Sequence, residues 1–286
     1  MSDIKELRSI ELSSYTTLST GIAVLFSIIS AILFSILVGV AVPNGASVII
    51  YVIPTIIVGT FMFTIYNAFC QGLLYNLLAK KLKTIFFILK DNKEIVKIST
   101  TETAIMVSII LTIQVILLYL VSVLILPLLL TTVMQTLMYS GQQLTAINLY
   151  QLLLLISQPA TIAMFIFGTF ILTSIFVLIG TYIYNILGKN GRGVVLNLSE
   201  ENGFTAIDSI DAKKFAIAYA IINCVINIIF AIIMLIGGAY MSGAIIDIIS
   251  GFIGGFIVAY LFALFYNYLA PKLGKLKIEL IGFKIN

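Results

Sequence analysis

Tyr266-Asn-Tyr-Leu-Ala-Pro-Lys-Leu-Gly-Lys-Leu-Lys-Ile-Glu-Leu280 joins the end of a long apolar run, through a short basic hinge, to a tail of alternating residues. The pattern occurs three times. Its earlier copies are Tyr75-Asn-Leu-Leu-Ala-Lys-Lys-Leu-Lys-Thr-Ile-Phe-Phe-Ile-Leu89 and the looser Tyr184-Asn-Ile-Leu-Gly-Lys-Asn-Gly-Arg-Gly-Val-Val-Leu-Asn-Leu198. Each reads as a helix leaving a membrane and turning into a strand. Repetition on this scale sets the organisation of a whole chain, and here it predicts three copies of one unit, residues 1–90, 91–200 and 201–286. Tyr75 and Tyr184 lie 109 residues apart and Tyr184 and Tyr266 only 82, so the middle unit carries about 27 extra residues, placed at 132–159.

Hydrophobic residues fill 61% of the 286 positions and charged ones 10%, with a mean hydropathy of +1.17. Soluble domains hold roughly 45–50% apolar residues, so the class is integral membrane protein. Residues 12–79 and 103–188 contain no charge, and 215–271 contain only Asp247. A helix crosses the hydrocarbon in about 20 residues. Each stretch therefore accommodates two crossings, which predicts six helices in three hairpins. Membrane β-barrels alternate in segments of about ten residues and do not show such unbroken runs. The first hairpin is expected to serve as its own insertion signal, because no small-residue cleavage site follows the mixed-charge N-terminus.

Taken in order, helices are expected at about 16–40, 47–78, 103–129, 160–187, 215–236 and 244–269. Ser13 and Ser14 stand where an N-cap is wanted, Pro43-Asn-Gly45 signals a tight distal turn, and Pro54 introduces a kink near the start of the second helix. Ser99-Thr-Thr-Glu102 has capping-box spacing. Asp208, Ser209 or Asp211 is placed to cap the fifth helix. Short strands are expected at Ser9–Ser13, Glu94–Ile98, Phe204–Ile210 and Leu276–Leu280, and Gly188, Gly191 and Gly193 suit a flexible hinge. Within the insertion, Asn148–Ser157 is apolar but too short to span, as for an interfacial or re-entrant helix.

All sixteen Lys and Arg residues fall in the N-terminus, the two inter-unit segments or the tail. The positive-inside rule puts those segments, and both termini, in the cytoplasm and the chain in the cell membrane. One strand before and one after each hairpin allow six strands to assemble beneath the bilayer. The expected fold is a membrane all-α bundle with a small β layer, pseudo-threefold about the membrane normal.

The Tyr-Asn, basic-or-glycine hinge and strand resemble an uncharacterised family of small prokaryotic transmembrane proteins, a domain of unknown function best known from actinobacterial chromosomes beside gyrase genes. The resemblance covers all three units, although copy one has Lys83-Thr84 where the family pattern has glycine. It implies a strand–two-helix–strand unit and neither a catalytic residue nor a ligand.

Among candidate sites, the Tyr-Asn pairs Tyr75-Asn76, Tyr184-Asn185 and Tyr266-Asn267, with Lys80 and Lys81, have two readings. They bind lipid headgroups at the inner leaflet, or Asn bonds the backbone at the helix-to-strand hinge. Asp247 is an intramembrane carboxylate or an acid near a helix start facing water. Asn223 and Asn227 share a helix face at i, i+4 and line a path or bond between helices, as do Asn67, Gln71 and Gln114. Gly251 and Gly255 allow close helix approach within the chain or between subunits.

Cys70 and Cys224 lie inside predicted helices as small buried apolar side chains, and with no His in the chain neither a disulfide framework nor a zinc or haem site is expected. No nucleophile with its base, paired-acid site, phosphate loop or nucleic-acid partner is read. The expectation is a non-enzymatic, cofactor-free scaffold or accessory subunit of a membrane complex, partnered by the bilayer and other membrane subunits. The alternatives are a channel or small-solute transporter along the threefold axis, and a lipid-binding protein.

Overall fold

The computed structural model describes residues 2–41, 45–238 and 240–283. The expected Pro43-Asn-Gly45 turn falls largely outside them. The elements run β1 (Ser2–Ile10), α1 (Leu12–Ala41), α2 (Gly45–Leu78), β2 (Phe86–Lys90), β3 (Glu94–Ile98), α3 (Thr100–Tyr139), α4 (Gln143–Ser157), α5 (Pro159–Lys189), β4 (Val194–Glu201), β5 (Phe204–Ile210), α6 (Ala212–Ile236), α7 (Met241–Leu273) and β6 (Leu276–Phe283). Six of these helices, α1, α2, α3, α5, α6 and α7, are long and apolar enough to cross a membrane. The protein is a multi-pass membrane protein.

The chain forms two compact units. Residues 1–103 and 178–286 make one, and Ala104–Val177 the other. In the first, the six strands close into a barrel in chain order, with β6 returning to pair with β1. All six pairings are antiparallel. The small layer expected from sequence is thus a closed barrel, and closure removes the two edges that six isolated strands would expose. Because successive strands alternate in direction, each of β1, β3 and β5 ends, and each of β2, β4 and β6 begins, at one rim. All the long helices join the barrel there. The opposite rim carries the strand-to-strand turns, where Asp91, Asn92, Asn202 and Gly203 adopt φ of 52°, 54°, 53° and 82°. Asn, Asp and Gly tolerate that left-handed region best.

Several boundaries differ from expectation. The first strand is Ser2–Ile10 and not Ser9–Ser13. The helix begins at Leu12, so Ser13 and Ser14 lie inside its first turn, and the Ser14 hydroxyl donates to the Glu11 carbonyl. The capping box does not form, because β2 takes its groups. Ser99 N–H donates to the Phe86 carbonyl at 3.0 Å, and its hydroxyl accepts from Phe86 N–H at 3.1 Å. Of the three candidate caps for α6, Asp211 serves, accepting from Lys213 and Lys214 N–H.

In the second unit, α3 continues through Pro127 to Tyr139, and the extra residues form α4. At fifteen residues α4 is about 22 Å long, short of the roughly 30 Å hydrocarbon. Within this unit the Ser174 hydroxyl bonds the buried Ser108 hydroxyl at 2.9 Å, linking α5 to α3.

Candidate functional site

The three Tyr-Asn pairs do the same thing in three places. Tyr75, Tyr184 and Tyr266 are buried, between 3 and 6% exposed. Their hydroxyls donate to the carbonyls of Leu7, Ile95 and Ile207 at 2.7, 2.7 and 2.5 Å. Two of the hydroxyls also accept from the backbone ten residues on, from Val194 N–H at 3.0 Å for Tyr184 and from Leu276 N–H at 3.3 Å for Tyr266, and Ile85 holds the corresponding place for Tyr75. A buried phenol must satisfy its polar end, and here it does so by joining the strand before the hairpin to the start of the strand after it.

The asparagines complete the connection. Asn76, Asn185 and Asn267 accept from the N–H of Ile10, Ile98 and Ile210, each at 2.8 Å. They donate back to the carbonyls of the same three residues, Ile10, Ile98 and Ile210, at 2.8, 2.9 and 2.9 Å. These isoleucines end β1, β3 and β5, where the ladder stops and a helix begins. The amide occupies both hydrogen-bonding groups that the ladder leaves open.

Between the tyrosine-bonded and asparagine-bonded residues, each odd-numbered strand shifts register. The extra residue is Arg8 in β1, Val96 in β3 and Asp208 in β5. Such bulges bend a strand and increase its twist, which suits a small closed barrel. The fifth position of the motif is Ala79, Gly188 or Ala270. A Cβ on Gly188 would run into the Val96 carbonyl, and one on Gly193 into the Ile95 carbonyl. These two glycines, expected to make a flexible hinge, are instead close-approach positions. Only Gly191, at φ +70°, meets a turn requirement.

Polar groups elsewhere on the barrel form one ionic cluster. Lys275 Nζ contacts Glu201 Oε1 at 2.5 Å and Asp208 Oδ1 at 2.7 Å, and Lys277 Nζ reaches Glu201 Oε2 at 3.6 Å. The Lys275 ammonium holds both carboxyls below the usual range, and Asp208 is further favoured as an anion by the Ser199 hydroxyl. Lys275 is raised in turn, first by Asp208 and then by Glu201. The side chains are about a third exposed, so water screens the cluster.

The intramembrane polar residues that the sequence singles out separately come together on α6 and α7. Asn223 Nδ2 lies 3.5 Å from the Gly251 carbonyl, and a Cβ on Gly255 would stand 2.8 Å from the same nitrogen. A Cβ on Gly251 would run into Asn227 Nδ2. The G-x-x-x-G face therefore receives the two asparagines of its own hairpin. Asp247 is exposed, one turn before Gly251, and borders a recess of about 430 Å³ with Asn227, Phe230, Met234 and Ser250. Tyr15 donates to Gln71 at 2.9 Å, joining α1 to α2.

Of the sequence candidates, the Tyr and Asn side chains turn inward to the backbone, while Lys80 and Lys81 remain exposed just beyond the end of α2. The bulges and barrel closure are not in the sequence reading. The Asn202-Gly203 dipeptide between two alternating runs is the signal that would have indicated a β-hairpin there. Among the described residues no group of three or more metal-ligating side chains is found. Set against known proteins, the chain matches no family model, no curated protein and no solved structure.

Proposed function

We propose that the protein is a non-enzymatic membrane scaffold, an accessory subunit that gathers membrane components around three helical hairpins fixed to one barrel. The carrying observation is that the last turns of α2, α5 and α7 are each bonded, through Tyr and Asn, to the strand that precedes their own hairpin. A connection of this kind sets the position of a helix base while leaving its lateral face available. Those faces are apolar: Tyr51, Met62 and Phe63 on α2 and Met164 and Phe167 on α5 are each more than half exposed. Lipid and neighbouring membrane helices are the surroundings such faces suit.

Three further features support three copies of one unit around a pseudo-threefold axis along the membrane normal. They are the matching bulges at Arg8, Val96 and Asp208, the shared ten-residue span from Tyr to the next strand, and the common rim. The cationic segments then lie on the cytoplasmic side with the barrel. The polar helix residues favour the scaffold over a channel, since Asn223 and Asn227 pack against glycine backbone and Gln71 bonds Tyr15.

Extraction from native membranes into several mild detergents or nanodiscs tests the proposal. A membrane protein retained at fixed stoichiometry in each medium is expected. Recovery of the chain alone in all of them would overturn the scaffold reading. Solute flux in liposomes, abolished by Asn227→Leu or Asp247→Asn, would replace it with a channel.

A further inference from the structure

Two adjacent cavities open beneath the loop that links α2 to β2, at the rim where the helices leave the barrel. One, of about 440 Å³, is lined by Ile4, Leu82, Phe86, Lys83, Thr84 and Glu102. The other, of about 650 Å³, is lined by Arg8, Ser9, Asn76, Lys80 and Glu279. They share Glu6, Ala79 and Thr84. Both fall in the range of roughly 300–1,000 Å³ typical of small-molecule sites. The first is largely apolar and the second largely polar, and both begin within a few residues of Leu78, where the α2 span ends.

We infer that this cleft binds the headgroup of an aminophospholipid, a phosphate with a primary ammonium, from the adjoining leaflet. The charge pattern selects the ligand. Arg8, Lys80 and Lys83 supply three cations, and the salt bridges between described residues are made elsewhere, by Lys275 and Lys277. Lysine binds phosphate as a point charge. Glu6 stands on the shared wall, oriented by the Thr84 hydroxyl that donates to it, and Glu279 is oriented by Ser9 at 2.8 Å. A purely anionic headgroup would meet these carboxylates with nothing to offer them. A primary ammonium carries three donors and suits them. A quaternary ammonium has no N–H and calls for an aromatic cage, and among the described residues Phe86 is the one aromatic side chain lining the cleft. Ile4, Leu82 and Phe86 provide the apolar wall on which the upper part of the lipid rests.

Native mass spectrometry of the full chain in detergent tests the site, titrated with phosphatidylethanolamine, phosphatidylglycerol and phosphatidylcholine of identical acyl chains. Phosphatidylethanolamine is expected to bind about tenfold more tightly than the other two, the scale of one charge-assisted hydrogen bond. Glu6→Gln should abolish that preference. Lys83→Gln, on an exposed loop, should weaken all three lipids with the melting temperature unchanged. Equal binding of the three lipids by the native chain, or a preference surviving Glu6→Gln, would overturn the assignment. Displacement of the lipid by an equal concentration of soluble glycerophosphoethanolamine would overturn the lipid as its source.

Discussion

Asn267 holds both backbone groups of Ile210, accepting from its N–H at 2.8 Å and donating to its carbonyl at 2.9 Å. One side chain thus fastens the last turns of α7 to the point where β5 gives way to α6. Asn76 with Ile10 and Asn185 with Ile98 repeat the exchange.

Removing one such amide strands two backbone groups, each at about 1–3 kcal/mol when buried. Asn267→Ala is expected to destabilise the protein by about 2 kcal/mol, measured by denaturant unfolding in detergent. Asn267→Asp should be at least as damaging despite its equal size, since a carboxylate oxygen would then face the Ile210 carbonyl. Full stability in the Asp variant would contradict the paired exchange.

Gly188 and Gly191 should respond to alanine for different reasons. At Gly188 the new methyl meets the Val96 carbonyl, which belongs to a hydrogen-bonded strand and cannot simply swing aside. A loss of about 2 kcal/mol or more is expected, at the upper part of overpacking costs. At Gly191 nothing lies within 4 Å, and the φ of +70° alone costs about 1 kcal/mol. Thermal melts of the two variants side by side check the order.

On α7, Gly251→Ala drives a methyl into Asn227 and should loosen the α6–α7 hairpin, whereas Gly254→Ala enters open space and should be nearly silent. Disulfide trapping between cysteines placed at facing positions of α6 and α7 reads the spacing directly. Equal trapping efficiency in both variants would contradict the packing of Asn227 on Gly251.

The Lys275 cluster has a defined pH signature. Asp208 and Glu201 have folded pKa values below their ordinary ones. Their contribution is therefore complete above the unfolded value, about 4, and is lost as pH falls through the folded values. Lys275 is shifted upward, so its contribution is complete below its ordinary value, about 10.4, and is lost as pH rises through the folded one. Unfolding followed from pH 2 to 6 should show an acid limb that flattens in Asp208→Asn, and high salt should reduce it, since the groups are partly exposed.

The helical half of this fold was legible because hydrocarbon demands long apolar runs, and 12–79, 103–188 and 215–271 provide them. The Tyr-Asn motif was legible as a recurrence, but not its chemistry, since whether a tyrosine faces lipid or backbone depends on which strand lies beneath it. Closure of the barrel was hidden for a similar reason. It depends on β1 meeting β6, more than 260 residues away, and on bulges at Arg8, Val96 and Asp208 that no residue type announces. The capping box at Ser99 misled because its spacing was right but Phe86 claims the same groups.

In the proposed topology the long helices enter the membrane from one rim of the barrel, which would put hairpin tips and barrel turns on opposite sides of the bilayer. In a background with Cys70 and Cys224 replaced by alanine, single cysteines at Asn92 and Asn202 probe the turns, and cysteines at Ser140 and Tyr240 probe two of the tips. With a membrane-impermeant maleimide applied to intact cells, labelling of 140 and 240 is expected, with 92 and 202 reacting only after permeabilisation. Labelling of a barrel turn together with a tip in intact cells would contradict the shared rim.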